Sequence, residues 1–375
     1  MAGIYIHIPF CRQKCYYCDF YKTVNTNYAD KFIASLKEEM RLQKNYLDNE
    51  IINTIYFGGG TPSTLNKAEL EGILNYLQRN FIINSHTEIT FEANPDDLDK
   101  NYLAMLFTAG INRLSIGIQS FQDEHLKRMN RRHNAKEGLI SIENAFKTGF
   151  ENISIDLIYG LPGLTTKQWK ASLKATSNLG VNHLSAYHLT YHEGTPFYTW
   201  LKKGTLNELK EDESIKQFNL LLGWAENQGY EQYEISNFAK DGMYSKHNSS
   251  YWNGEKYLGL GPSAHSYDKV SRRWNVAHLE SYVQAIEKGA IFYQDEVLSE
   301  TDNYNEYIIT RIRTKWGVSL QTIKNNFGQE KAVLFSENIQ KYVNSGKIIR
   351  NQENFTLSKD GQFVSDDIMA NLIII

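Results

Sequence analysis

The sequence predicts an α/β protein: an incomplete (β/α)6-type barrel or an open doubly wound sheet, followed by a mainly helical, winged-helix-like C-terminal domain. Three observations predict it. Six short β-branched or aromatic runs alternate with helical patterns over about the first 200 residues, the signature of βαβ units. Glycines and polar residues follow each apolar run, at the expected carboxyl ends of strands, where parallel α/β folds keep their ligand sites. All six prolines, Pro9, Pro62, Pro95, Pro162, Pro196 and Pro262, fall at those ends or in loops and interrupt no helix.

In chain order the strand candidates are IYIHI from Ile4, TIYFGGG from Thr54, EITFEANP from Glu88, RLSIGIQSF from Arg113, ISIDLIYGLPG from Ile153 and HLSAYHLT from His183. Between them, stretches such as ADKFIASLKEEMRLQ, KAELEGILNYLQRN and TKQWKASLKATSNLG place apolar residues at helical spacing and supply right-handed crossovers. The charged segment KKGTLNELKEDES reads as a connector beginning near residue 205. Residues 230–275 are rich in Tyr and Gly and read as a long loop region of the kind that carries function. From about residue 300, GVSLQTIKNNFG resembles a helix-turn-helix and GKIIRNQENFTLSKDG a small β-wing. The expected division is therefore 1–205, 206–300 and 301–375.

A chain of 375 residues is long enough for two or three domains. Forty Lys and Arg against 43 Asp and Glu leave a net charge of −3, which argues against nucleic acid as the main ligand. The wing region from Gly317 onward lacks basic excess too, so a structural or docking role is expected there rather than DNA reading. No apolar run approaches the ~18 residues of a membrane span. The start, MAGIYIHIPFCRQKC, lacks a basic first region and breaks its apolar stretch at His7 and Pro9, unlike a secretory signal. A cytoplasmic location, compatible with peripheral membrane contact, is expected.

The three cysteines, Cys11, Cys15 and Cys18, lie within eight residues of one another. Neighbouring thiolates repel unless a cation shares their charge, so the cluster points to metal ligation or redox chemistry rather than to scaffold disulfides. Zinc would need a fourth ligand, for which His7 is the nearest candidate. An extended strand would hold positions 7 and 11 roughly 13 Å apart, so that cage demands a sharp turn at Pro9. A 4Fe-4S cluster on three cysteines would leave one iron open to another ligand.

The spacing C-x-x-x-C-x-x-C in HIPFCRQKCYYCDF resembles that of radical S-adenosylmethionine (SAM) proteins. In that family three such cysteines leave the unique iron to the amino and carboxylate groups of SAM. The other motifs are of the types such a site needs. YFGGGTPS, Tyr56 to Ser63, brings glycines whose backbone can approach a small zwitterion. Glu92, Gln119, Arg131 and Asp156 follow or end later strands; carboxylates and amides can take ribose hydroxyls and an amine, and a guanidinium can pair with a carboxylate.

Over nearly its whole length the chain resembles the coproporphyrinogen-dehydrogenase branch of that superfamily. The resemblance implies SAM contacts at Tyr5, Tyr17, Gly59, Gly60, Thr61, Glu92, Gln119, Arg131, Asp156 and Thr190. Two features depart from the decarboxylating enzymes. Phe20 stands where those enzymes carry a further cysteine, and ten residues precede Cys11 where they carry an extension over the active site.

HNSSYW, His247 to Trp252, matches the HN-x-x-YW motif of HemW-type haem chaperones. With the cysteines committed to a cluster, His247 is the candidate axial ligand to haem, and Tyr251 and Trp252 are candidates to lie against the macrocycle. His265 in GLGPSAHS also matches a family segment, without an evident role. The resemblance implies a haem chaperone rather than an enzyme, with haem as cargo and a haem-accepting protein as partner, such as a respiratory or other haem enzyme at the membrane. It leaves a homodimer open. The alternative is an oxygen-independent coproporphyrinogen III oxidase that cleaves SAM; a redox-sensing winged-helix regulator is disfavoured by the neutral charge of the C-terminal segment.

Overall fold

The side chains of Ile4, Ile6 and Ile8 are fully buried, His7 between them is buried as well, and Tyr5 is half-buried. Such continuous burial is what a strand with both faces covered requires, and β1 (Ala2–Ile8) lies in the interior of a parallel sheet. In the computed structural model, which describes residues 2–374, all six expected strands form. They are β1, β2 (Ile52–Gly59), β3 (Ile83–Ala93), β4 (Arg113–Gln119), β5 (Ile153–Tyr159) and β6 (His183–His188). Each pairs in parallel with the next, in sequence order, as right-handed βαβ units dictate. The register places Tyr5 beside Tyr56 on neighbouring strands.

The intervening helices start where the sequence caps them. Asn66 and Glu69 form a reciprocal capping box at Lys67–Asn80, as do Asn134 and Glu137 at Ala135–Thr148 and Thr165 and Gln168 at Thr166–Ser177. Their apolar stripes close over the sheet: Leu70, Ile73 and Leu77 of the first are all fully buried.

The segment 206–300, expected to connect two domains, instead extends this sheet. It contributes β7 (Glu231–Glu234), β8 (Asn237–Ala239), β9 (Lys256–Leu260), β10 (His265–Tyr267), β11 (Ser271–Asn275) and β12 (Tyr293–Val297). The order across the twelve strands is β12-β11-β10-β9-β1-β2-β3-β4-β5-β6-β8-β7. β9 runs parallel to β1 as a seventh parallel strand, and the flanking strands are antiparallel. The 230–275 stretch is therefore not a loop but five short strands and the helix Lys246–Trp252 joined by turns. Its glycines mark the tight turns and close approaches between them: a side chain on Gly259 would meet the His265 carbonyl oxygen at 2.0 Å.

One hydrophobic core runs from Ala2 to Phe292 and includes Phe218, Leu221 and Leu222 of the helix Glu211–Asn227. Among the described residues no separate core begins near residue 205. A second core holds residues from Tyr304 to Leu372. Around it lie the helix Glu300–Ile312, the segment Leu320–Asn344 bent at Gly328 (φ +91°), and a three-stranded sheet of β13 (Val318–Ser319), β15 (Asn354–Leu357) and β14 (Ile348–Asn351). The β14–β15 hairpin is the expected wing. At the apolar tail, Leu372 is buried and the Ile374 amide donates to Asn305 Oδ1, while Ile375 lies outside the described residues. Among the described residues no helix is long and apolar enough to cross a membrane.

Candidate functional site

At the carboxyl ends of β1–β6 lies a cavity of about 690 Å³. All three cysteines and every residue the resemblance assigned to SAM line it, Tyr5, Tyr17, Gly59, Gly60, Thr61, Glu92, Gln119, Arg131, Asp156 and Thr190, together with His247 and Tyr251, whereas Trp252 and His265 do not. Those that line it come from six strands or strand ends, the cysteine loop, the turn after the short helix Asp123–Arg128, which carries Arg131, and a helix of the 206–300 segment.

The cysteine loop is fastened at several points. The Cys11 amide donates to the Thr23 carbonyl and the Thr23 amide to that of Pro9, so the chain leaves β1 and doubles back at once. The Tyr16 amide donates to Met129 O, and the Gln13 and Asn130 side chains bond reciprocally across to backbone carbonyls. Lys22 Nζ donates to the carbonyls of Cys18 and Phe20 at 2.6 and 3.1 Å.

Two hydrogen bonds reach the sulfurs themselves: Thr61 Oγ1 donates to Cys11 Sγ at 3.2 Å, and Arg131 Nη1 to Cys15 Sγ at 3.4 Å. Burial pushes the Cys11 thiol up to about 11, partly opposed by Thr61, and raises that of Cys18 against the pull of Lys22. A metal bound here would replace the thiol protons, the ordinary coupling of metal binding to thiol ionisation.

The zinc alternative does not fit. His7 is buried, its Nε2 donates to the Tyr21 carbonyl at 3.0 Å, and Nδ1 then accepts from the Tyr5 hydroxyl at 3.3 Å. Its ring is committed to fixing the start of the cysteine loop.

The glycine run serves the chain itself. Gly59 has φ +99°, and a side chain there would strike the His7 ring at 2.6 Å; one on Gly60 would strike the Ile8 carbonyl oxygen at 2.7 Å. The amides of Gly60 and Thr61 donate to the carbonyls of Ile8 and Phe10. Glycine thus lets β2 press against the exit of β1, which places Thr61 on Cys11.

The polar wall is electrostatically frustrated. Tyr56 donates to Glu92 Oε1 at 2.6 Å, yet burial and the neighbouring Asp156 push Glu92 up to about 7. Burial raises Asp156 to about 6 despite its hydrogen bonds to Ser115 and Ser185. A cationic group bound between them would relieve both. Arg131 is aimed by Asn94 Oδ1 at 2.6 Å and the Gly117 carbonyl at 2.8 Å, and its buried Nε has no partner. Gln119, at φ +62°, ends β4 in the left-handed region beside it. Carboxylates for an ammonium, a guanidinium for a carboxylate and three thiols for a cluster therefore share one cavity. The donor set fits a 4Fe-4S cluster with SAM.

His247 reaches the cavity floor, in the helix Lys246–Trp252, rather than its mouth. The residue is buried, Nδ1 lies 2.8 Å from Thr54 Oγ1 and Nε2 2.8 Å from the Tyr251 hydroxyl. Its ring stacks on Tyr56 at 5.0 Å, and burial lowers its pKa to about 3. One nitrogen accepts and the other donates, so ligation of iron would require this network to open. Thr190 lies exposed at the opposite rim.

Several supporting residues had no sequence signal. Asn94 aims Arg131, Tyr56 holds Glu92, and the Glu88 carboxylate caps the His247 helix by accepting from the amides of Lys246 and His247. Glu88 and Asn94 lie within the EITFEANP run and Tyr56 within YFGGGTPS, but nothing in those runs marks the partners they hold.

Comparison with known proteins agrees with this geometry. Residues 5–175 match the family model of the radical SAM superfamily, and residues 298–364 that of the HemN C-terminal domain. The chain is 35% identical to the heme chaperone HemW of Bacillus subtilis, covering 99% of this chain and 98% of that one. It is 33% identical to the heme chaperone HemW of Lactococcus lactis, over 99% and 97%. In fold it is similar to coproporphyrinogen III oxidase (HemN) of Escherichia coli, with a TM-score of 0.86 at 23% identity, over 99% of this chain and 90% of that one. By its end-to-end similarity to these proteins, and by the cysteine-lined cavity at its strand ends, the chain belongs to the HemW family of the radical SAM superfamily.

Proposed function

We propose that this chain binds haem and hands it to an acceptor protein, while Cys11, Cys15 and Cys18 hold a 4Fe-4S cluster whose open iron takes SAM. The observation that carries the reading is the match, along 99% of the chain, to proteins named heme chaperones. The likeness to the oxidase is one of fold. Phe20 supports the same side: a largely exposed aromatic ring, not a thiol, stands two residues past Cys18.

The cluster, when bound, supplies a redox-active centre with one exchangeable ligand position. The chain's own residues do the rest. Thr61 and Arg131 donate to the cysteine sulfurs, Arg131 would receive the SAM carboxylate, and Glu92 and Asp156 its ammonium or ribose hydroxyls. Transfer sets a ceiling on affinity. A picomolar complex, roughly −16 kcal/mol, would release its cargo over about a day to months at association rates of about 10⁵–10⁷ M⁻¹s⁻¹. Micromolar to nanomolar binding suits a carrier.

The test uses anaerobically reconstituted protein in two arms. Loaded with ferric protoporphyrin IX, it is mixed with excess apomyoglobin as a generic trap; given coproporphyrinogen, SAM and a reductant, it is assayed for decarboxylated product. The reading expects haem to move to the trap and no product beyond one turnover. Sustained decarboxylation, or no haem binding, overturns it.

A further inference from the structure

A second and larger cavity, about 1010 Å³, lies between the antiparallel extension of the sheet and the C-terminal domain. Its volume is at the top of the about 300–1,000 Å³ range of small-molecule sites. One wall is built by register. Tyr257 pairs with Tyr267, and Tyr267 with Arg272, so these residues and His265, two positions before Tyr267, share one face of β9–β11. The opposite wall comes from the helix Glu300–Ile312, which presents Tyr307 and Arg311. Tyr251 and Trp252 of the HNSSYW helix complete it.

Of the two histidines in this lining, His7 has both nitrogens engaged, as described above. Neither nitrogen of His265 has a hydrogen-bond partner among the described residues, and the side chain is exposed to the cavity. Burial and Arg272 lower its pKa, so the ring is neutral at pH 7 and offers a lone pair.

Two carboxylates of the wall have cationic partners: Glu306 pairs with Arg272 at 2.5 Å, and Glu300 with Lys331, outside the lining, at 2.6 Å, while Asp19 lies 3.3 Å from His192. Lys269 and Arg311, also in the lining, make no close ion pair among the described residues, although Lys269 is near enough to Glu255 to favour its carboxylate form. Arg311 is directed by Asn253 Oδ1 at 2.6 Å and the Gly317 carbonyl at 3.2 Å.

Resting on the haem-carrier reading above, we infer that haem occupies this second cavity, with His265 as its axial ligand, tyrosine and tryptophan faces against the macrocycle, and Lys269 and Arg311 opposite its two propionates. Ligation forms one Nε2 or Nδ1 to iron bond from a free lone pair. No proton leaves and no electron is transferred. His247, behind Tyr251, then orders the wall instead of touching iron. Phe20 lines both cavities, so the ring that covers haem is two residues from Cys18. This places cargo and cluster on one loop.

The test titrates the reconstituted full chain with ferric protoporphyrin IX, followed by the Soret band and by electron paramagnetic resonance (EPR). Iron–sulfide content and SAM binding serve as checks on the fold. His265→Ala should weaken haem binding at least tenfold and abolish the histidine-ligated signal, with cluster and SAM binding retained. His265→Gly should regain the signal on adding free imidazole. Arg311→Gln should weaken haem about tenfold and leave the dimethyl ester of haem unaffected. A His265→Ala protein with wild-type spectrum and affinity overturns the assignment, and equal loss of haem and ester in Arg311→Gln overturns the placement of the propionates. Failure of the wild-type chain to bind haem at all is a different result, and overturns the carrier reading itself.

Discussion

Thr61 donates its hydroxyl hydrogen to the sulfur of Cys11 across 3.2 Å, from a loop 50 residues further along the chain. The contact exists because Gly59 and Gly60 let β2 close on the exit of β1. It joins the two motifs that stood apart in the sequence.

Thr61→Val keeps the shape of this contact and removes the donor. A lost hydrogen bond of this kind is worth roughly 0.5–1.5 kcal/mol, about two- to tenfold in cluster retention. Iron and sulfide content after a fixed challenge with chelator should fall accordingly, and Thr61→Ser should restore it. Equal retention in Thr61→Val and wild type contradicts a role for the bond.

Arg131→Lys replaces a planar fork by a point charge that cannot hold Asn94, the Gly117 carbonyl and a carboxylate together. Charged hydrogen bonds contribute about 1.5–3 kcal/mol, so SAM affinity should drop about 10- to 100-fold by equilibrium dialysis, with a smaller loss of cluster iron. Unaltered SAM affinity would remove Arg131 from the site.

Glu92 is held near 7, so its ionised fraction climbs across neutral pH. A carboxylate receiving the SAM ammonium makes affinity increase from pH 6 to pH 8, and Glu92→Gln should flatten that rise. A profile identical in both proteins would assign the contact elsewhere.

Glu39 gives a pH signature away from the site. It is 1% exposed, accepts from Tyr282, Gly261 and Asn275, and burial still pushes it up to about 7 from 4.5. For a carboxyl raised on folding, the native state binds more protons than the unfolded one between those values. Stability is therefore greatest below about pH 4.5 on this account, falls as pH rises to about 7, and is flat above. The full span is about 3 kcal/mol. Urea midpoints at pH 5 and pH 7.5 should differ in wild type and differ less in Glu39→Gln.

His247→Ala leaves Thr54 and Tyr251 without their buried partner and opens a cavity under Tyr56. A loss of about 2–3 kcal/mol is expected, read as a lower melting temperature, and about 1 kcal/mol for Tyr251→Phe. A His247→Ala protein as stable as wild type would show the network to be incidental.

The residues at the strand ends were legible because parallel strands announce themselves as apolar runs, and whatever follows such a run stands at the carboxyl edge. Cys11, Glu92, Gln119 and Asp156 are read that way. β9 was not, because its partner β1 lies some 250 positions away and five residues of KYLGL carry no signal of that pairing. The burial of His247 escaped for a related reason: KHNSSYW has the polarity of a surface turn, and its cover, Thr54 with Tyr56 and Tyr251, is assembled by tertiary structure. The glycines of YFGGGTPS were recognised, but the atoms they make room for are the chain's own His7 and Ile8 as much as any ligand's.

The central claim is that three thiols hold a cluster with one iron left for SAM, and EPR of the reduced, anaerobically purified protein tests it most directly. The account predicts a 4Fe-4S signal that shifts when SAM is added and that broadens with SAM labelled by a magnetic isotope at its amino or carboxylate group. An iron-free protein carrying stoichiometric zinc, or a cluster signal indifferent to SAM, would contradict it.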